Sequence, residues 1–406
     1  MKPDLKSLKS ACPEVDERFL KEHLYRLSDT YFSSFPEKGI YRHLEGLARL
    51  SSEQPLEVTA VARRDGSVDI TVLAFDYPFE FSIITGVLAG MGFGILSGDI
   101  FTYGQAAAPT PRRGNRLQSR PRGKFVPDPL KRRRIIDHFT GHLETTRSLK
   151  AWASQLKEKL HHIIGLMEKG GDAATGEART LVNNMVVQRL AQTGSDGVDF
   201  LYPVTIQINN DHAHFTRLRV IGEDNPAFLY ALSNALSLNR VHIEHVRIRT
   251  IGSRIEDRID MVNASGRKIT DPDVLDRVRL SVLLTKQFTY FLSTSPDPHA
   301  ALSRFEQLVR EVLALPEKGR WMELLANPHT LRDLARLLGA SDYLWEDFIR
   351  LQYESLLPMF EPHVRGHRFS ESEKTVEERL AQATWEGETL EEQKEALNRF
   401  KDREIF

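Results

Sequence analysis

The chain has 406 residues, 41% hydrophobic and 27% charged, with 55 basic against 56 acidic side chains and a formal net charge of −1. That length calls for about two to four domains with cores of their own. A single cysteine, Cys12, excludes an internal disulfide and suits a reducing compartment. Met1 to Ser10 is polar and lysine-bearing, without the apolar stretch of a secretory leader. The longest weakly polar run, Phe81 to Leu96, carries four glycines and is too short for a bilayer span. The expectation is a cytoplasmic protein.

In chain order, residues 1–60 form a helical N-terminal segment. Val68 to Ala74 then alternates with a period near two, as a strand with one face on a core does. After Phe75-Asp76-Tyr77-Pro78 comes a helical run, Phe81 to Met91, and a strand, Gly94 to Tyr103. About 150 residues later the same arrangement returns. Phe215 to Ile221 alternates cleanly, Glu223-Asp224-Asn225-Pro226 follows, and Phe228 to Leu238 places Phe228, Leu229, Leu232, Ala235 and Leu236 on one helical face before the strand Val241 to Ile251. Pro78 and Pro226 are expected in the first turn of their helices, where a missing N–H costs little. A repeat of strand, helix and strand sets the architecture and points to sensing rather than chemistry. The predicted fold class is α+β: two ferredoxin-like βαββαβ domains in tandem, then an all-helical segment. The predicted boundaries are 1–60, 61–210, 211–315 and 316–406.

The first repeat carries an insertion over 104–134. Arg112, Arg113, Arg116, Arg120, Arg122, Lys124, Lys131, Arg132, Arg133 and Arg134 stand there against one acid, Asp128, among five prolines. Such a run reads as a solvated loop. The competing reading is an anion-binding loop for nucleic acid, nucleotide or an acidic protein. It has no interleaved aromatic residue before Phe125 to act as a stacking platform, which disfavours nucleic acid.

The repeats also carry a family resemblance. "FTRLRVIGEDNPAFLYALSNALSLNRVHIEHVRIRTIGSRIEDRIDMVNASGRKI" and "ITVLAFDYPFEFSIITGVLAGMGFGILSGDIFTYG" resemble the tandem ACT domains of bacterial PII uridylyltransferases, and the likeness runs over about residues 15–290. From 316 to 406, "LLANPHTLRDLARLLGASDYLWEDFIRLQYESLLPMF" and "EALNRFKDREIF" resemble the helical segment that precedes the catalytic domain of glutamine synthetase adenylyltransferases. The resemblance implies the regulatory, amino-acid-sensing part of a nitrogen-signalling nucleotidyltransferase that modifies glutamine synthetase or PII protein. Glutamine is the implied effector, and its binding would shift how the ACT pair packs. The alternative is a ligand-free module that docks a PII-like protein or glutamine synthetase. ACT sheets would pair within one chain or between copies. The charged helical pattern Leu397 to Phe406 gives the expectation that the natural polypeptide continues into a catalytic domain.

By position, the resemblance places ligand binding at Asp76, Tyr77 and Pro78 in the first copy and at Asp224, Asn225, Pro226 and Ala227 in the second. There, backbone N–H groups at a helix N-terminus suit a carboxylate. The family has glycine after the proline. Phe79 replaces it in the first copy, where it is expected to fill the pocket, and Ala227 adds one methyl group in the second, the copy preferred as a working site. Asp224 and Asn225 serve equally as helix caps.

No catalytic residue, metal ligand or cofactor is assigned. Gly252-Ser253 with Asp257 and Asp260 superficially matches a nucleotidyltransferase turn, but acids three apart on a strand point to opposite faces. Gly194 to Asp199 is too compressed for that motif. His138 and His142 on a predicted strand lie too far apart for a zinc pair. His161-His162 diverge on a helix, and His212 and His214 lack further ligands nearby.

Overall fold

The computed structural model describes residues 2–104, 132–144, 148–193, 204–224, 228–313, 325, 327–340 and 394. They fall into two compact units that divide within one helix between Lys286 and Gln287.

The first unit opens with four short helices: α1 (Leu5–Ala11), α2 (Glu17–Arg26), α3 (Asp29–Ser34) and α4 (Glu37–Arg49). Asp4 and Asp16 cap the first two by accepting from Ser7 N and Arg18 N, two donors the helix itself leaves open. A sheet follows, built from β1 (Leu56–Ala62), β2 (Val68–Phe75), β3 (Phe93–Thr102), β4 (Arg134–Leu143), β5 (Thr205–Asn209), β6 (Thr216–Glu223), β7 (His242–Ile251) and β8 (Arg254–Val262). Helix α5 (Glu80–Gly90) joins β2 to β3, and α8 (Phe228–Leu238) joins β6 to β7. After β4 come α6 (Leu149–Lys169) and α7 (Asp172–Thr193), and after β8 comes α9 (Pro272–Thr289). The described strands form one eight-stranded sheet in the order β1-β2-β4-β3-β7-β8-β6-β5, every pair antiparallel.

Each half therefore runs ββαββα. The expected βαββαβ order puts the outer strand after the second helix; here it comes first, as the partner of a hairpin. The cause is local in the first half, where Arg63 N donates to Ser67 O at 2.8 Å and Gly66 takes φ +84°, closing β1 on β2 through an Asp-Gly turn. That turn is written in the sequence at Asp65-Gly66. Pro78 also departs from expectation. Helix α5 starts at Glu80 behind Phe79, which has the left-handed φ of +63°, so the proline precedes the helix instead of occupying its first turn.

The halves are related by a local two-fold at the β3–β7 seam, where Asp99 pairs with Arg247, Ser97 with Arg249 and Phe101 with His245. Arg247 Nε donates to Asp99 Oδ1 at 2.9 Å across the axis. Helices α5 and α8 meet over the same axis, with Ser82 Oγ donating to Asn234 Oδ1 at 2.6 Å. Gly86 permits this approach, because a Cβ there would overlap side chains of Val182 and Tyr230. Ile70, Val72, Ile100, Ile135 and Phe139 of the first half, and Leu218, Val220, Val246, Ile248 and Ile259 of the second, form the buried face on this side.

The opposite face differs between halves. On the first, Tyr31, Phe35, Phe101 and His138 make edge-on ring contacts beneath the N-terminal helices, and Gly46 of α4 lies against Leu73. On the second it carries charge, with Arg217 on Asp260 at 2.6 Å and Arg219 on Glu256 at 3.1 Å. That is the alternation read in Thr216 to Ile221.

In the second unit, α10 (Pro298–Val312) and α11 (Pro328–Ala340) pack through Arg304 Nη1, which donates to Leu338 O at 2.5 Å, while Phe305 stacks on Phe288 at 3.7 Å. Most of the segment 316–406 lies outside the described residues, as do 105–131 of the basic insertion. The end of that insertion is not a solvated loop. Arg132 reaches Glu168 at 2.5 Å and lies 3.7 Å over the Phe75 ring. Arg133 pairs with Asp76 and Glu244, and Arg134 covers Phe19. No helix among the described residues is long and apolar enough to cross a membrane.

Candidate functional site

The register of the sheet extends the repeat beyond the segments in which it was first visible. Val72, four residues before Asp76, pairs with Asp137, and Val220, four before Asp224, pairs with Asp257. Asp137 and Asp257 are thus structural counterparts, each within an Arg-Ile-x-Asp sequence: Arg134-Ile135-Ile136-Asp137 and Arg254-Ile255-Glu256-Asp257. Both are buried on the helix-covered face, 0% and 1% exposed. Neither was singled out as a ligand residue from the sequence. Aligning the third strands of the two repeats would have found them.

In the second half this position opens into a cavity of about 240 Å³, room for about eight waters at ~30 Å³ each. Its floor is Asp257 with Ile248 and Ile255, and one wall is the first turn of α8, Phe228 to Tyr230. The opposite wall comes from the first repeat, through Thr85 and Ala89 of α5, Gly92 and the first residues of β3, Phe93 to Ile95. Asp224, exposed, and the Arg189–Glu144 ion pair stand at the mouth. The cavity therefore needs both repeats.

Electrostatics set the floor apart. Asp257 Oδ1 accepts from Arg249 N at 3.3 Å, and among the described residues no donor reaches the buried Oδ2. Burial pushes the carboxyl up to about 7, against the pull of the Arg249 N–H and Lys286. Lys286, fully buried, donates to Glu223 O at 2.6 Å and lies 4.0 Å over the Phe228 ring. Burial draws its ammonium down to about 8.

The first-repeat counterpart is built differently. Glu80 stands where the second repeat has Phe228, and burial, then the charges of Asp137 and Asp76, hold its carboxyl well above the ordinary range. Asp137 is raised by burial and by Asp76. Asp76, raised by burial in spite of Arg133, is clamped by that arginine at 3.1 Å. Tyr77 donates its hydroxyl to Glu168 Oε2 at 2.6 Å, and Pro78 is exposed. The Arg179 guanidinium covers the Phe79 ring at 4.5 Å, and Glu80 lies near enough to Asp137 to feel its charge, although neither Asp137 oxygen has a hydrogen-bond partner among the described residues.

Of the second-repeat candidates, Asp224 is at the cavity mouth, and Asn225, Pro226 and Ala227 lie outside the described residues. Asp257 and Asp260 do face opposite sides of the sheet, since Asp260 is bound by Arg217 and His245 on the charged face. Gly252 turns the β7–β8 hairpin with φ +63°. His138 lies beside Thr71 and Asp69, His161 and His162 are exposed, and His212 stacks on Phe215. Among the described residues no group of three or more His, Cys, Asp and Glu side chains could hold a metal ion.

Fold and cavity together define a mixed α+β protein with a small polar-floored cavity at the seam of two repeats. Over 279 residues, 68% of this chain, it is 23% identical to the bifunctional uridylyltransferase/uridylyl-removing enzyme of Azospirillum brasilense, of which the match covers 26%. The enzyme of the same name from Erythrobacter litoralis is 26% identical over 266 residues, 65% of this chain and 25% of the relative. That of Rhodospirillum rubrum is 25% identical over a stretch of equal length, 24% of the relative. The chain spans about a quarter of the length of these curated relatives. No family model and no solved structure matches it.

Proposed function

We propose that this chain is the amino-acid-sensing, ACT-type regulatory portion of a nitrogen-signalling nucleotidyltransferase acting on PII protein or glutamine synthetase in the cytoplasm, with glutamine as the effector. The observation that carries the reading is the cavity at the β3–β7 seam, since its walls come from both repeats. A ligand there has a different affinity for each packing of the pair, which is what allosteric coupling requires. The names of the relatives support the nucleotidyltransferase part of the reading. The first turn of α8 suits an α-carboxylate, and Asp224 and Asp257 both line the cavity, which gives it an acidic character suited to an ammonium. No nucleotide chemistry is assigned to residues of this chain.

Calorimetric titration of the full chain with glutamine tests the reading, with glutamate as competitor and with Asp224→Ala and Ala89→Phe as variants. Saturable binding, selective for glutamine and abolished by Ala89→Phe, places the effector in the cavity. No heat and no melting shift at millimolar glutamine turns the assignment to a module that docks protein partners without a ligand.

A further inference from the structure

We propose that the charged face of β6, β8 and β7, on the side away from α5 and α8, docks an acidic helix of a partner protein. Arg219, Arg258 and Arg247 receive its carboxylates, and the exposed Ile251 meets an apolar residue beside them. The proposal goes beyond the amino-acid reading and does not depend on it.

Three observations carry it. In register, Arg219 stands opposite Arg258 and Arg258 opposite Arg247, so three guanidinium groups cross adjacent strands in one row. Like charges placed directly opposite one another destabilise a sheet. Acids of the sheet answer them only in part. Glu256 is shared between Arg219 at 3.1 Å and Arg258 at 2.8 Å, and Asp99, which accepts from Arg247 at 2.9 Å, also lies 3.5 Å from His245. Arg249 and Arg254, both exposed, extend the positive face by strand alternation.

The second observation is Ile251, 74% exposed and opposite Arg254 at the end of the same face. It is the most exposed large apolar side chain among the described residues.

The third is an internal comparison across the local two-fold. Thr71, His138 and Asp99 form the corresponding row of the first half, in the same register. There the chain lays its own N-terminal helices on the sheet, with Phe35 edge-on to His138 at 5.5 Å. That covered row holds no arginine. In the second half Arg219, Arg258 and Arg247 keep 37%, 47% and 32% of their side-chain surface exposed, and the equivalent space takes a helix from outside.

Charge and spacing select the occupant. Glutamates three and four residues apart on a helix recur every ~5–6 Å, close to the ~4.8 Å between strands, so a helix laid across the strands sets successive carboxylates over successive arginines. A second copy of this face would bring arginine onto arginine. Single-stranded nucleic acid finds no Phe, Tyr or Trp in β6, β7 or β8 on which to stack, and the interspersed Glu256 and Asp260 repel its phosphates.

The test uses the full chain and a fluorescein-labelled, helix-forming synthetic peptide with glutamates at three- and four-residue spacing around one leucine. Anisotropy is read against the glutamine version of the peptide and against a labelled single-stranded DNA. The expected result is saturable binding of the glutamate peptide alone, weakened by added salt and about tenfold or more by the combined change Arg219→Gln, Arg247→Gln and Arg258→Gln. Ile251→Ser should weaken it severalfold, and Arg63→Gln, in the β1–β2 turn, should leave it unchanged. Ile251 is exposed, so its variant keeps the test valid if the triple variant fails to fold. No binding of the glutamate peptide, or binding equal in the unaltered, triple and Ile251→Ser chains, overturns the proposal. DNA bound as tightly and lost in the same variants assigns the face to nucleic acid and overturns it. Self-association lost in the triple variant, with no peptide bound, assigns it to a second copy and overturns it as well.

Discussion

Replacing Asp257 by Asn should change how the stability of the first unit depends on pH, apart from any ligand. The carboxyl sits near 7 in the folded state against an ordinary 3.8, raised by burial. Between those values the folded chain holds a proton that the unfolded chain has released. The stability contributed by this group is present below pH 4 and is lost as pH rises through 7. At 1.36 kcal/mol per pKa unit, the loss amounts to about 4 kcal/mol over that window. Asparagine keeps the shape and the acceptor for Arg249 N but has no proton to lose. The stability of Asp257→Asn relative to the unaltered chain should therefore grow by up to about 4 kcal/mol from pH 4 to pH 8. The difference between the two proteins is the quantity to follow, because His23 and His43, drawn by burial to about 3, lose stability in the opposite direction as pH falls. Urea unfolding at each pH, read by hydrogen exchange in peptides of β6 to β8, restricts the signal to this sheet. Parallel curves for the two proteins across pH 4 to 8 would refute the reasoning.

Other consequences are as direct. Gly141→Ala would drive a Cβ into the Gly94 carbonyl oxygen in the neighbouring strand; a loss of roughly 1–3 kcal/mol should appear as a lower melting temperature. Gly86→Val should separate α5 from α7 and α8 by overlap with Val182 and Tyr230, costing a similar amount and abolishing any binding in the cavity, as calorimetry would show. Trp152, 2% exposed, donates its indole N–H to Met91 O at 3.0 Å. Trp152→Phe should cost about 1 kcal/mol for that bond and Trp152→Ala about 3–5 kcal/mol, measured by denaturant titration. His245 stacks on Phe101 and lies between Asp99 and Asp260, which hold its imidazole above the ordinary value although burial acts against them. Its contribution is present at low pH and lost as pH rises through that raised value. His245→Gln should therefore destabilise more at pH 5 than at pH 9, and an equal effect at both would count against the ion pairs.

Local patterning carried a good deal of this molecule. The alternation of Thr216 to Ile221 placed arginines on one face and apolar residues on the other, because a strand turns successive side chains to opposite sides. The three- and four-residue spacing from Phe228 to Leu236 defined α8, since one helical face had to be buried. The duplicated Asp-x-Pro segments announced two related halves. The same period-two reasoning separated Asp257 from Asp260. What sequence left undecided depended on which strands lie side by side. The outer strand of each half comes before its repeat, although Asp65-Gly66 was a readable hairpin turn. The meeting of β3 with β7 is a pairing of segments about 150 residues apart, and no local signal encodes it. Tertiary structure alone placed Thr85 and Ala89 of one repeat against Phe228 and Asp257 of the other. It also made a solvent-compatible aspartate into a buried carboxyl, one of whose oxygens has no hydrogen-bond partner among the described residues. Burial and long-range pairing are properties of the whole packed sheet, and the residues flanking Asp257 in the chain do not specify them.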